Sequence, residues 1–132
     1  MKNIILSISI IFMVMACGAK TKSELMAEAK LHEEYTVEDN YQAVYKRVVD
    51  KFMECSGYGA QFVQRNLYTE LGEGEVFLFG AGGEGYVLLA TMKKTDSKQT
   101  SIAAYSKVST GFYPSYMAMV KMGAYGQSGC PK

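Results

Sequence analysis

From Asp39 onward, apolar side chains return every third or fourth residue: Tyr41, Val44, Tyr45, Val48, Val49, Phe52 and Met53. Lys46, Arg47, Asp50, Lys51 and Glu54 fill the positions between them. This period belongs to a helix with one wet face and predicts a helix over 41–55. Asp39 suits its N-cap, with Gln42 three residues later as in a capping box, and Ser56-Gly57 supplies the stop. Beyond residue 60 the pattern shortens to apolar runs between turn residues, and Gln61–Tyr68, Glu75–Phe79, Tyr86–Lys93 and Thr100–Val108 read as strands. The joints Leu71-Gly72-Glu73-Gly74, Gly80-Ala81-Gly82-Gly83-Glu84-Gly85 and Lys94-Thr95-Asp96-Ser97-Lys98 are short and polar or glycine-rich, which suits hairpins between antiparallel neighbours. Val87-Leu88-Leu89-Ala90 lacks polar alternation, which places it centrally in the sheet. The stretch from Pro114 to Tyr125 predicts another helix, with proline in its first turn and Tyr113, Tyr116, Met117, Val120 and Ala124 on one face; Gly123 and Gly126 weaken its end.

Upstream of all this, residues 18–34 hold Lys20, Lys22, Glu24, Glu28, Lys30, Glu33 and Glu34 among small residues. Ser23–Leu31 has spacing for a short helix but no broad apolar face, so 17–34 reads as a tether. Fully extended, these residues reach about 60 Å. The chain's first residues are different again: Met1-Lys2-Asn3 is a charged start, Ile4 to Val14 an apolar run broken only by Ser7 and Ser9, and Ala16 a small-residue end. That is the form of an export signal. Eleven helical residues span only about 16 Å, half of a bilayer core of roughly 30 Å, so the run is too short to cross comfortably.

Val14-Met15-Ala16-Cys17 resembles the lipobox of bacterial lipoproteins. The resemblance implies that residues 1–16 are removed, that Cys17 is diacylglycerated and becomes the first mature residue, and that its new amine is acylated too. Several acyl chains anchor stably where one is marginal. Gly18, in place of an aspartate, is what the resemblance associates with the outer membrane, facing the periplasm in a Gram-negative host.

Composition narrows the function classes. With 14 Lys+Arg against 13 Asp+Glu the net charge is +1, which gives no basic field for nucleic acid. Loss of Lys2 with the signal leaves 13 of each sign. The balance hides an asymmetry, because residues 18–84 hold 7 basic and 12 acidic side chains whereas 85–132 hold 6 basic ones and only Asp96 as an acid. Pairing between the two halves within one fold accounts for this; a bipolar surface facing a partner is the alternative.

Several candidate motifs lose their chemistry in context. Gly80 to Gly85 matches G-x-G-x-x-G literally, but a strand-like segment follows it where a dinucleotide site needs a helix, so it reads as a hairpin loop. His32-Glu33-Glu34 lacks a second histidine and sits in the tether. Glu73 and Glu75 fall in a glycine-rich turn, where solvated charges cost little. No catalytic, metal or cofactor residues are assigned. Tyr41, Tyr45, Tyr116, Met53, Met117 and Met119 recur on the predicted apolar faces and read as core, with a soft binding groove as the alternative. Of three cysteines, setting aside Cys17 leaves Cys55 and Cys130, one after each predicted helix, in a chain bound for an oxidising compartment. A disulfide is the economical reading; two free thiols are the alternative.

Taken together, the sequence predicts an α+β domain over 35–132: an antiparallel meander of three to four strands, an amphipathic helix across one face and a C-terminal helix tied by Cys55–Cys130. The mature region resembles small bacterial lipoproteins on Cys17, on Tyr41-Gln42-Ala43-Val44-Tyr45-Lys46-Arg47 leading to Cys55, on Leu67-Tyr68 and on Gly129-Cys130. Such families imply no particular activity. The expectation is a lipid-anchored envelope accessory that binds another envelope protein, without catalysis. A carrier of a lipid or other apolar ligand, and a small envelope hydrolase using carboxylates, are the alternatives.

Overall fold

The computed structural model describes residues 21–57, 62–80, 85–107 and 116–132. Its elements follow in the order α1 (Lys22–Glu28), β1 (Leu31–Val37), α2 (Tyr41–Cys55), β2 (Val63–Tyr68), β3 (Glu73–Phe79), β4 (Tyr86–Asp96), β5 (Gln99–Ser106) and α3 (Tyr116–Ala124). The architecture is α+β, with one antiparallel sheet in the order β1-β5-β4-β3-β2. Strands β2 to β5 form the expected meander, and β4, which carries the unbroken apolar run, lies at the centre.

The fifth strand comes from the segment expected as a tether. β1 pairs with β5 from Leu31↔Ser106 to Val37↔Thr100, and α1 precedes it, so residues 22–34 belong to the packed domain. No apolar stripe announced β1 because most of its side chains face solvent; the backbone ladder to β5 holds it. α1 buries one residue, Leu25, which is fully buried against Phe77 and Leu89. Thr21 caps it in a reciprocal capping box with Glu24.

The opposite face of the sheet is covered by α2 and α3. Val44, Val48 and Phe52 of α2 and Met119 and Val120 of α3 meet Val76, Leu78, Leu88, Ala90, Met92 and Ile102 in the main core. The protein therefore has three layers, with α1 on one side of the sheet and the helix pair on the other.

α2 departs from expectation at three positions. Asn40, not Asp39, is its N-cap, with the Asn40 side chain accepting from the Gln42 amide at 2.9 Å. Asp39 accepts instead from the Asn40 amide at 2.7 Å and from Arg47 Nη1 at 2.6 Å. Lys51, expected on the wet face, is buried because the C-terminal tail lies over it, and its Nζ donates to the Gly129 carbonyl at 2.7 Å. Met53, expected in the core, is exposed. Tyr41, Tyr116, Met117 and Met119 are buried as expected, and Tyr45 packs at the core margin.

Two glycines mark close approaches. A Cβ on Gly74 would lie 2.6 Å from the Tyr45 ring, and one on Gly123 would lie 2.9 Å from the Val48 backbone, so α3 crosses α2 at van der Waals contact there. The hairpins agree with their turn chemistry: Gly72 has φ +65°, and the Gly80 amide donates to the Gly85 carbonyl at 2.9 Å across the base of the β3–β4 connection. The G-x-G-x-x-G match thus joins two antiparallel strands. Residues 1–20, with Cys17, and Glu84, Tyr113 and Pro114 lie outside the described residues.

Candidate functional site

Cys55, at the last position of α2, and Cys130 are joined by a disulfide with Cα atoms 5.5 Å apart. The Glu54 carboxylate lies within 4.8 Å of both sulfurs, but the sulfurs are spent on each other and offer no thiolate to a metal. Beside the bridge, Lys51 reaches Gly129 and lies 3.5 Å from Glu54, while Arg47 Nη2 donates to the Ala124 carbonyl at 2.8 Å. Two cations of α2 therefore hold down the end of α3 and the tail that follows it. The Arg47 guanidinium, as hydrogen-bond donor, and the Asn40 amide hold the Asp39 carboxyl below its ordinary range.

A second cluster lies between α1 and the sheet, around a cleft of about 170 Å³. Glu75, expected as a solvated turn residue, stands in β3 with its side chain only 10% exposed and is ion-paired to Lys22 of α1. Glu73, two positions earlier on the same strand, pairs with Lys93 of β4 at 3.2 Å. Met26, Thr91 and Tyr105 complete the wall. Each carboxylate is thus engaged by a lysine, and the volume is below the usual range for small-molecule sites of roughly 300–1,000 Å³. His32 belongs to β1, where its ring stacks on Tyr105 at 4.3 Å and its Nε2 lies 3.1 Å from Glu34 Oε1. The pairings Lys93–Glu73 and Lys107–Glu28 join cations of the C-terminal half to acids of the N-terminal half, whereas Lys22–Glu75, Lys46–Asp50, Arg47–Asp39 and Lys51–Glu54 pair within the N-terminal half.

The remaining features are surfaces. At the end of α3, Tyr125 is exposed, its ring stacked 6.0 Å from that of Tyr35, with Lys121 Nζ 5.7 Å from the Tyr35 centroid. Burial raises the Tyr35 phenol well above its ordinary pKa, with the Glu33 charge adding to it. Ala118, Lys121, Met122 and Tyr125 border an open depression of about 310 Å³. Along β2 and the following turn, Leu67, Tyr68 and Leu71 are exposed, Leu71 to 68%. Among the described residues no helix is long and apolar enough to cross a membrane.

The sequence points to Glu73 and Glu75 but not to their partners. Lys22 is 53 residues from Glu75, and nothing local marks the pair. Leu67, Tyr68 and Leu71 were legible as apolar residues at a turn, which is a departure from the usual polar composition of turns. Comparison with family models, with curated proteins and with solved structures finds no match.

Proposed function

We propose that this protein is a bacterial envelope domain, anchored by lipid on Cys17, that acts by binding another envelope protein and performs no catalysis. The observation that carries the reading is the division of the cysteines. Cys55 and Cys130 are consumed in a disulfide, as befits an oxidising compartment, which leaves Cys17 in its lipobox as the third. The space between the helix pair and the sheet is filled by Val44, Val48, Phe52, Met92 and Ile102, all fully buried, which favours a binding protein over a carrier of apolar ligands. Lysine partners on both Glu73 and Glu75 weigh against carboxylate hydrolysis. The aromatic and cationic patch of Tyr125, Tyr35 and Lys121 has the residue types that anchor protein interfaces.

The test is made in cells. Cys17→Ser is expected to abolish radioactive palmitate incorporation and to stall processing or release the protein; a mature N-terminus other than residue 17 overturns the anchor. A photoreactive side chain at position 125 is expected to give one discrete adduct that Lys121→Glu diminishes. Full activity from an exported form lacking residues 1–17, together with loss of activity on Glu75→Gln in a folded protein, would replace this reading with the hydrolase.

A further inference from the structure

Of the large hydrophobic side chains exposed among the described residues, three fall within five positions, Leu67, Tyr68 and Leu71, at the end of the β2–β3 hairpin. Backbone register fixes which end of the molecule this is. Tyr68 pairs with Glu73, and the turn between them closes with the Leu71 amide on the Tyr68 carbonyl at 3.1 Å and the Gly72 amide on the Thr69 carbonyl at 3.3 Å. The Lys94 amide donates to the Gly72 carbonyl at 2.8 Å, so the tip is braced against β4 and presents its side chains in a fixed place.

The chain enters the domain at this same end. Lys22, the first residue of α1, is ion-paired to Glu75, and α1 then runs along the sheet past Phe77 and Leu89 toward Lys107, which pairs with Glu28. From Glu75 back to the turn at Gly72 is three residues, about 10 Å along the strand direction. From Thr21 back to Cys17 is four residues, at most about 14 Å of chain. A bilayer holding acyl chains on Cys17 therefore lies within about 14 Å of Thr21, less than the diameter of a domain of about 100 residues, whose radius of gyration alone is about 13 Å. The domain is thus held close to the lipid by its entry end, and the β2–β3 tip, about 10 Å beyond Glu75 in the direction opposite to the run of α1, is the part of that end within reach.

We infer that the β2–β3 tip rests on the lipid, with Leu67, Tyr68 and Leu71 entering the interfacial region of the phospholipid bilayer as a second membrane contact beside the anchor. Leucine and tyrosine suit that boundary, the tyrosine having an apolar ring and a polar hydroxyl. Charges at this end are mixed, Lys93 and Lys94 with Lys98 of the neighbouring β4–β5 turn against Glu70, Glu73 and Asp96, so the contact depends on apolar burial and tolerates zwitterionic lipid. This inference rests on the lipid-anchor reading and adds an orientation to it.

The chain contains no tryptophan, so a single introduced one is a clean reporter. The full-length protein, carrying Leu71→Trp or in a second variant Leu67→Trp, is purified from the membrane and reconstituted into phosphatidylcholine vesicles with and without brominated acyl chains. Expected are a blue-shifted emission on reconstitution and strong quenching by brominated lipid, both unchanged by added salt. Met53→Trp, on the exposed side of α2 near its far end, is the control and is expected to show neither. Palmitate-labelled protein in which positions 71 and 67 are quenched no more than position 53 overturns the tip contact while leaving the anchor intact. Protein without acylation overturns the anchor and this inference with it. A blue shift that depends on protein concentration and not on lipid identifies a second copy as the occupant and also overturns it.

Discussion

Asp39 shows how a single residue can suit one role and fill another. It has the chemistry of an N-cap, but Asn40 takes that place and leaves the Asp39 carboxylate to Arg47. A carboxyl whose folded pKa lies below its unfolded value stabilises the fold above that unfolded value, here 3.8, and ceases to do so as pH falls through the lower folded value. Asp39→Asn is therefore expected to flatten the acid limb of a urea-midpoint profile below about pH 4, where the wild type declines. The effect is small because the carboxylate is 41% exposed. Tyr35 presents the opposite situation: its hydroxyl is buried and, among the described residues, has no hydrogen-bond partner. Tyr35→Phe removes an unsatisfied group while keeping the ring on Tyr125, so thermal unfolding is expected to show no loss of stability, and a gain of up to about 1 kcal/mol. A loss above that size would mean the hydroxyl is paired. Residue identity announced neither role; both come from what the fold brings alongside.

Among the elements, legibility in the sequence followed locality. α2 was readable because one element carries its whole apolar face, and β2 to β5 because turn residues separate neighbours that pair with each other. β1 was not, since its partner β5 is distant in sequence and its own side chains are mostly polar. α1 buries Leu25 alone, and one buried leucine makes no pattern. Leu25→Ala is expected to cost about 2–5 kcal/mol at that site, more than a seven-residue helix can sustain. Amide exchange should then rise over residues 25–28 while α2 stays protected; uniform exchange across both would refute independent release. Gly123 has a purpose its helix propensity conceals. Adding a methyl there pushes α3 off the Val48 backbone, so Gly123→Ala is expected to destabilise by about 1–3 kcal/mol in denaturant titration, although alanine is the better helix former. The candidate site followed the same rule: Glu75 was visible, and its buried pairing with Lys22 was not.

For the whole molecule, the Cys55–Cys130 bridge closes a loop with a sequence separation of 75. Loop-closure entropy assigns such a bridge roughly 4 kcal/mol, a large share of an ordinary domain's 5–15 kcal/mol. Cys55→Ser with Cys130→Ser is expected to lower the unfolding free energy by that order in a denaturant titration, and intact-mass measurement with thiol alkylation before and after reduction should find no free thiol at 55 or 130 in the wild type. An unchanged free energy would show that Lys51 and Arg47 suffice to hold the tail. The sheet order has a further consequence, in time. A chain leaves the ribosome beginning first, yet β1 must pair with β5 and Cys55 must meet Cys130. The earliest segments to arrive are thus among the last to settle. While the rest emerges, β1 offers bare amides and carbonyls and Cys55 a free thiol. Newly made copies of this protein therefore cannot close either the sheet edge or the bridge until their last residues arrive.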